Sequence, residues 1–489
     1  MNTYESFSAC LHRVLAEAEM SASEAARLVG FRSRNSIFRI LNGDTSVDVD
    51  ARFLSALRQQ VGDAWPQERW DDLERALSIK RIGLDKYLNN QSFRQAMHAC
   101  YTPRAFEVEC CSEEGTVSRI SLEKLLHEII DDAVETTVVI CGCIDRSLAV
   151  LLASCLNEAG ESGRLSVRHY IDIEGSAAIH NILAMLPLMS KVWYNARLVE
   201  QEHCPAEIAA FYRTNIINLC AANAQGETDC HQMVQFDSGL FIDMHMPGAK
   251  SGPLRLLDRC RFQLELLKPM ALPVSGVEDF VDYTAQYAFL ERDGMILSIK
   301  PDVHFNLIPT ELLYQAIMEG FEQSGLASGE GLLELLEALR SIHDERCRNM
   351  LEKRRPTHIV YSLPAMERFM QTGIQTDHFF IQRAYTVPER RAIIERLLNQ
   401  LREDPFFNIY FLREELPEIR HEMTFYEGKG VLLMDAYTGY DLHEDHSEAL
   451  ITLPLFMTGF QQFFMEELLG SMTMNRMESA AVLERLLRM

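Results

Sequence analysis

The sequence predicts an α+β multidomain protein in which an all-α N-terminal bundle is followed by a helical connector and an α/β C-terminal region. A chain of 489 residues is longer than a single hydrophobic core usually accommodates, which favours several domains of about 100–200 residues. Apolar residues recur at three- and four-residue steps near the N-terminus. Further along, β-branched apolar runs at 136–143 and 165–173 flank a helical pattern at 147–159, which indicates a strand-helix-strand unit with parallel strands.

Composition is typical of a soluble globular protein, with 47% hydrophobic and 24% charged residues. The longest apolar stretch, residues 449–460, is interrupted by Thr452, Pro454 and Thr458. It falls short of the roughly 20 residues that a membrane span needs. The N-terminus lacks the basic start and apolar run of a secretory signal. We therefore expect a cytoplasmic protein without a membrane partner.

The cysteine pattern argues against a structural metal. The chain has 12 cysteines, and none of their spacings forms the C-x-x-C pair of a zinc ribbon. In a reducing cytosol such residues behave as small buried hydrophobes, so we expect free thiols. Neither a bound metal nor a cofactor is expected.

Charge is distributed unevenly along the chain. The formal net charge is −24, yet residues 1–60 hold seven arginines and seven acidic residues and are neutral as a segment. Four of these arginines, from Arg27 to Arg39, have no acidic residue among them. A local basic face on an acidic protein suits a DNA-binding protein that must release non-specific DNA.

The first two helices are defined by periodicity and by end signals. One apolar stripe is formed by residues at helical spacing, namely Tyr4, Phe7, Leu11, Val14 and Ala18. Ser21 and Glu24 form a capping-box pattern that predicts a second helix at 22–29. Gly30 follows at the position where a helix ends in a left-handed turn.

A third helix is predicted at 34–42, with Ser33 as its N-cap and Gly43 closing it. At about 100° per residue, one side carries the core residues Ile37, Ile40 and Leu41. The opposite side carries polar groups from Asn35, Arg39 and Asn42. Amide and guanidinium groups of this kind read base edges and hold phosphates.

A fourth helix is predicted at 49–60, with Phe53, Leu54 and Leu57 turned inward. Taken together, residues 1–60 resemble the lambda-repressor-like helix-turn-helix domains of XRE-type transcription factors. The resemblance covers about an eighth of the chain. It is carried by Ser-Ala-Ser-Glu-Ala-Ala-Arg-Leu-Val-Gly at 21–30, by Ile37, Ile40, Leu41 and Gly43, and by Phe53-Leu54-x-x-Leu57.

The resemblance implies that the third helix enters the DNA major groove by its N-terminal end. The candidates for base contacts that it implies are Arg34, Asn35, Ser36 and Arg39, and the predicted N-cap Ser33 is also expected among the DNA-binding residues. Arg27 and Arg32 are the candidates for phosphate contacts. Phe38 either touches a thymine methyl or packs against a neighbouring helix. A homodimer on double-stranded DNA is expected, because operators of this class are commonly two-fold symmetric.

The predicted domain boundaries give a helix-turn-helix domain at 1–62 and a helical connector or dimerisation segment at 63–131. An α/β domain at 132–275 follows, then a mixed hairpin and helical segment at 276–355, and finally a second α/β, sensor-like domain at 356–489. The mixed segment is expected to contain a hairpin at 288–306 around Arg292-Asp293-Gly294. A helix is expected at 254–267 and an apolar helix at 456–469.

Residues 357–360, Thr-His-Ile-Val, echo residues 136–139, Thr-Thr-Val-Val. The echo suggests an internal duplication, although the spacings that follow do not align.

Enzyme motifs are absent from the sequence: it contains no phosphate loop, glycine-rich dinucleotide turn, GxSxG elbow or HExxH helix. The densest polar cluster contains Asp441, His443, Glu444, Asp445, His446 and Glu448. We interpret it as a solvated acidic loop and not as a divalent-metal site.

Three functional hypotheses remain. The leading one is a transcriptional regulator, not an enzyme, whose C-terminal region binds a small-molecule effector or a protein partner. The alternatives are an antitoxin-like interaction protein that autoregulates, and a DNA-targeted metal-dependent hydrolase that uses the 441–448 cluster.

Overall fold

The computed structural model describes residues 4–31, 34–98, 105–111, 117–172, 178–189, 191, 193–199, 215–237, 239–246, 271–273, 280–301, 303, 305–324, 330–375, 383–413, 416–417, 419, 421–435 and 448–489. Within these ranges, 17 α-helices and two mixed sheets confirm the α+β class. The chain forms two compact units, Met1–Gln91 and Ser92–Met489. No helix in the described ranges is long and apolar enough to cross a membrane. The finer division into five domains stays a prediction.

The N-terminal unit is a helical bundle. Its helices are α1 (Phe7–Glu17), α2 (Ala22–Leu28), α3 (Arg34–Leu41), α4 (Val47–Val61) and α5 (Gln67–Ile82), and α6 (Leu84–His98) begins in this unit. The predicted inward residues Ile37, Ile40 and Leu57 are each 0% exposed. Trp70 and Leu73 of α5 join the same core. The four helices predicted for residues 1–60 are therefore confirmed, with bounds shifted by a few residues.

The first sheet has eight strands in the order β2-β1-β8-β7-β6-β3-β4-β5. The strands are β1 (Glu107–Cys111), β2 (Val117–Ser121), β3 (Glu135–Cys141), β4 (Leu165–Asp172), β5 (Tyr194–Val199), β6 (Ile216–Ala222), β7 (Thr228–Asp237) and β8 (Leu240–His245). The helices are α7 (Leu122–Ile130), α8 (Arg146–Glu161), α9 (Ala178–Ala184) and α10 (Leu186–Met189). β3 precedes α8 in the chain and β4 follows it, and the two strands pair in parallel, so the predicted strand-helix-strand unit is confirmed.

The second sheet has seven strands in the order β12-β11-β10-β13-β14-β15-β9. Its strands are β9 (Ala271–Pro273), β10 (Ile296–Lys300), β11 (Thr357–Tyr361), β12 (Phe407–Phe411), β13 (His421–Tyr426), β14 (Gly430–Asp435) and β15 (Glu448–Ile451). Its helices are α11 (Phe280–Leu290), α12 (Thr310–Ser324), α13 (Glu330–Leu351), α14 (Leu363–Thr372), α15 (Val387–Glu403), α16 (Pro454–Gln462) and α17 (Arg476–Leu486), with a π-helix at Phe463–Met472.

Both sheets share one apolar core, to which Val138 and Ile140 contribute from β3 and Leu297 and Ile299 from β10. Because successive side chains of a strand alternate between its faces, Ile296 belongs instead to a second core, which it shares with residues of α12 to α15. The second sheet is therefore covered on both faces.

The two sheets repeat one topology. In each, three parallel strands lie in reverse chain order, β5-β4-β3 and β12-β11-β10. An antiparallel meander then continues each sheet, β6-β7-β8 and β13-β14-β15. The echoed residues 136–139 and 357–360 lie on β3 and β11, which occupy different places in this order. The repetition therefore lies in the strand order and not in the echoed residues.

Two secondary-structure predictions are wrong. The connector at 63–131 was expected to be helical, and its helices are present as α5, α6 and α7, but β1 and β2 form an antiparallel pair between α6 and α7, and β1 also pairs in parallel with β8. The segment 288–306 is not a hairpin. Its turn, with Gly294 at φ +85°, joins α11 to β10, because the pairing partners of β10 are β11 and β13.

Other predictions differ in part. The sequence did not predict strands β6, β7 and β9 or helices α9, α10, α14 and α17, and the apolar helix expected at 456–469 is divided between α16 and the π-helix. The helix expected at 254–267 lies outside the described residues. Cys220 and Cys230, expected as free thiols, form a disulfide bond, because the β6–β7 register places them directly opposite each other with Cα atoms 4.3 Å apart.

Candidate nucleic-acid interface and effector cavity

Local hydrogen bonds fix both ends of α2. Ser21 caps α2, and its Oγ accepts a hydrogen bond from the Glu24 N–H at 3.2 Å. After the helix, the Phe31 N–H donates to the Ala26 carbonyl at 2.9 Å. Gly30 adopts φ +77°, the left-handed conformation that glycine takes at the lowest cost. The predicted N-cap of α2 and the predicted turn glycine are therefore confirmed.

Helix α3 separates a buried side from an exposed side. Ile37 and Ile40 anchor the buried side in the core of the bundle. The exposed side carries an amide, an aromatic ring, a guanidinium and a second amide, from Asn35, Phe38, Arg39 and Asn42. Phe38 is 48% exposed, so it is not enclosed by a neighbouring helix of this unit. This side offers groups that suit the reading of base edges.

The end of α3 is tied to α5 by a polar network. The Lys80 ammonium of α5 donates to the Thr45 carbonyl at 2.8 Å and pairs with Asp50 Oδ2 at 2.7 Å. Thr45 Oγ1 donates to Asp50 Oδ1 at 2.5 Å. Asp50 is 0% exposed. The network fixes the turn that follows α3, and no local sequence pattern indicated it.

The predicted DNA-contact residues fall into three groups. Arg27, Asn35, Phe38 and Arg39 are exposed, and Arg39 donates to the Asp44 carbonyl at 3.3 Å at the end of α3. Ser36 is half-buried. Arg34 begins α3, but its side chain is not described, and Arg32 and Ser33 lie outside the described residues. All eight roles stay predictions.

The C-terminal unit has a cavity of about 320 Å³ where two parallel strands end. It is lined by Ser362, Leu363, Pro364, Glu367, Leu412, Arg413, Leu416 and Arg485. Ser362 directly follows β11 and Leu412 directly follows β12, and these strands pair in parallel. The carboxyl edge of parallel strands is the usual place for ligands in sheets of this kind.

The lining of this cavity suits a small anion. Ser362 is the N-cap of α14 and is 1% exposed, and its Oγ has no hydrogen-bond partner among the described residues. The first N–H groups of a helix attract negative charge. Arg413 and Arg485 also line the cavity, and because Arg485 pairs with the Glu367 carboxylate at 3.4 Å, Arg413 supplies the net positive charge of the lining.

The polar cluster at 441–448 lies outside the described residues, except that Glu448 begins β15. A different group of potential metal ligands, Asp229, His231 and His245, comes together on β7 and β8. Sequence inspection did not single this group out, because its members belong to two strands that only the hairpin brings side by side.

Comparisons with known proteins add no family to these observations: no family model, curated protein or solved structure matches the chain. The resemblance to XRE-type domains rests on the residues of the N-terminal unit alone.

Proposed function

We propose that this chain is a sequence-specific DNA-binding transcriptional regulator that reads duplex DNA with α3. The observation that carries the proposal is the geometry of one short helix. Gly30 adopts the left-handed conformation after α2, α3 begins at Arg34, the core encloses Ile37 and Ile40, and the opposite side of α3 is exposed. This arrangement presents an exposed, largely polar helix face of the kind that enters the major groove.

The exposed groups match the chemistry of base recognition. An asparagine such as Asn35 can bond two atoms of adenine, and an arginine such as Arg39 can bond two atoms of guanine. Phe38 offers an apolar surface for a thymine methyl. Arg27 is exposed in the last turn of α2, where it suits a phosphate. A symmetric dimer would place two such helices on two half-sites.

The C-terminal unit serves, in this proposal, to bind an effector in the cavity beside Ser362. An effector changes DNA affinity only by binding two states of the protein unequally. The buried hydroxyl, the helix N-terminus and the guanidinium of Arg413 favour a small molecule with a phosphate or carboxylate group.

The DNA-binding part is tested by selecting bound DNA from a random library with the full-length protein. An enriched motif is expected, and Asn35→Ala and Arg34→Ala should blur or abolish it. The matched control is Arg75→Ala, because Arg75 is an exposed arginine on α5 that pairs with Asp72. Recovery of all sequences alike, or a motif that survives both variants, contradicts the proposal.

The effector part is tested by calorimetric titration of the protein with inorganic phosphate. Saturable heat is expected, and Arg413→Ala should reduce it while Arg402→Ala should not. Arg402 is a suitable control because it is exposed and paired with Glu484. Absence of saturable heat, or equal loss in both variants, contradicts the assignment of this cavity.

A further inference from the structure

The end of the β7–β8 hairpin gathers two histidines and two aspartates on one face of the first sheet. His231 lies directly opposite His245 in the antiparallel register, and Asp243 lies opposite Met233. Because side chains alternate along a strand, Asp229 and His231 share a face on β7, and Asp243 and His245 share it on β8. Met233 is part of the apolar core, whereas His245 is exposed, so this group sits where the core face meets solvent.

The distances place the donor atoms of three residues around one point. His245 Nε2 lies 2.5 Å from Asp229 Oδ1, and His231 Nε2 lies 3.6 Å from Asp229 Oδ2. One donor atom from each residue lies within 4.8 Å of the other two. The two imidazole rings stack with centroids 4.5 Å apart and planes 14° apart. Both rings turn Nε2 toward the Asp229 carboxylate.

A fourth residue fixes the orientation of the buried histidine. His231 Nδ1 donates to Asp243 Oδ2 at 2.8 Å. This bond holds the proton on Nδ1 and leaves Nε2 as the nitrogen that faces Asp229. Metal-binding histidines commonly show this arrangement, in which a carboxylate holds the other ring nitrogen.

We propose that Asp229, His231 and His245 bind one divalent transition-metal ion of the zinc class, with Asp243 as the positioning residue. Two imidazole nitrogens and one carboxylate oxygen form a ligand set that Zn²⁺ takes in four-coordinate sites, where water supplies the fourth position. This proposal does not depend on the proposed DNA binding, since all four residues belong to the C-terminal unit.

The buried charge at this hairpin supports the same ligand. Asp243 is 4% exposed, and its Oδ1 has no hydrogen-bond partner among the described residues. A buried carboxylate needs a compensating positive charge nearby, and a cation held by His231 would supply it. A neutral His245 with its proton on Nδ1 would offer the Nε2 lone pair to the ion, as His231 does.

The hypothesis is tested with Co²⁺, which replaces Zn²⁺ and absorbs visible light when it is bound tetrahedrally. Full-length protein stripped with a chelator and titrated with Co²⁺ should reach saturation at one ion per chain, and Zn²⁺ should displace it. His245→Ala and Asp229→Asn should abolish this absorption. Both side chains are nearly half exposed, 45% and 49%, so these variants retain the fold. Asp243→Asn should weaken binding about 10- to 100-fold.

The matched control is His127→Ala, because His127 is 51% exposed and lies 3.9 Å from Asp131 on one helix. This variant should bind Co²⁺ as the parent protein does. Three results overturn the assignment: no saturable Co²⁺ binding, binding that persists in both His245→Ala and Asp229→Asn, or the near-ultraviolet bands of cysteine-bound Co²⁺. The last result would place the ion at thiols elsewhere in the chain.

Discussion

The polar network behind α3 gives the sharpest stability prediction. Asp50 is 0% exposed, and the side chain of its partner Lys80 is 26% exposed. Removing one member of a buried ion pair costs about 3–5 kcal/mol, because the other charge stays buried without compensation. Lys80→Met leaves the buried Asp50 carboxylate without its partner and should lower the free energy of unfolding by about 3 kcal/mol. Asp50→Asn leaves an ammonium that water can reach, and it should cost nearer to about 2 kcal/mol.

The two substitutions should not be additive. Once one partner is gone, removal of the second relieves an uncompensated charge, so the double variant should cost little more than Lys80→Met alone. A coupling free energy of about 1.5–2 kcal/mol is expected for residues in direct contact. The exposed pair Arg58–Glu74, with side chains 44% and 49% exposed, is the control. Glu74→Gln should change the free energy of unfolding by less than about 0.5 kcal/mol.

The measurement is urea unfolding of the full chain followed by tryptophan fluorescence. Of the three tryptophans, Trp65 and Trp70 lie in the N-terminal unit, with ring centroids 4.9 Å apart and ring planes tilted by 31°. Replacing Trp193 by Phe removes the only tryptophan outside this unit. The transition of Asp50→Asn should move to lower urea by roughly 1–2 M. Additive effects of the two substitutions, or a shift no larger than that of Glu74→Gln, would refute the reasoning.

Three further predictions separate core, interface and titrating groups. Ile40→Ala should destabilise the N-terminal unit by about 2–5 kcal/mol in the same urea assay, since the side chain is buried in the core. Phe38→Ala should change the free energy of unfolding by less than about 0.5 kcal/mol, because the side chain is exposed. It should, however, lower the affinity for DNA measured by fluorescence anisotropy. Burial lowers the pKa of His169 to about 4, so its contribution of about 3 kcal/mol is complete above its ordinary pKa of 6.5 and is lost as pH falls toward 4. His169→Gln should therefore flatten the unfolding free energy over that range, and an unchanged slope would contradict this. The hydrogen bonds from Arg383 hold the pKa of Glu389 at about 2, so its contribution of about 2 kcal/mol is present above pH 4.5 and lost toward pH 2. Acid titrations of Glu389→Gln by circular dichroism should lack that loss, and one that matches the parent would contradict it.

The N-terminal unit could be predicted from sequence because its determinants are local. A cap such as Ser21, a left-handed glycine such as Gly30 and apolar residues at helical spacing act within one or two turns of chain. The same reasoning found β3, α8 and β4, where a β-branched run is buried on both faces. It did not find the Asp50–Lys80 pair, because that contact joins residues 30 positions apart.

The C-terminal unit shows where local patterns mislead. The charged residues Glu107, Glu109 and Arg119 make β1 and β2 difficult to recognise as strands in the sequence. Their pairing depends on β8, which lies more than 100 residues further along the chain. Asp293 and Gly294 indicate a turn correctly, but the type of element on each side depends on which strands accept β10. Sequence reveals that the chain must turn there and does not reveal what the turn connects.

By itself, the sequence determined the helices of the first sixty residues, the outward side of α3 and the mixed helix-and-strand class of the remainder, because capping, glycine conformation and side-chain periodicity are short-range interactions. Tertiary structure alone decided the repeated strand order, the cavity beside Ser362, the Cys220–Cys230 bond and the meeting of Asp229, His231 and His245. Each of these depends on strand register and on packing between distant segments, and pairing energies of that kind are not encoded in any single window of the chain.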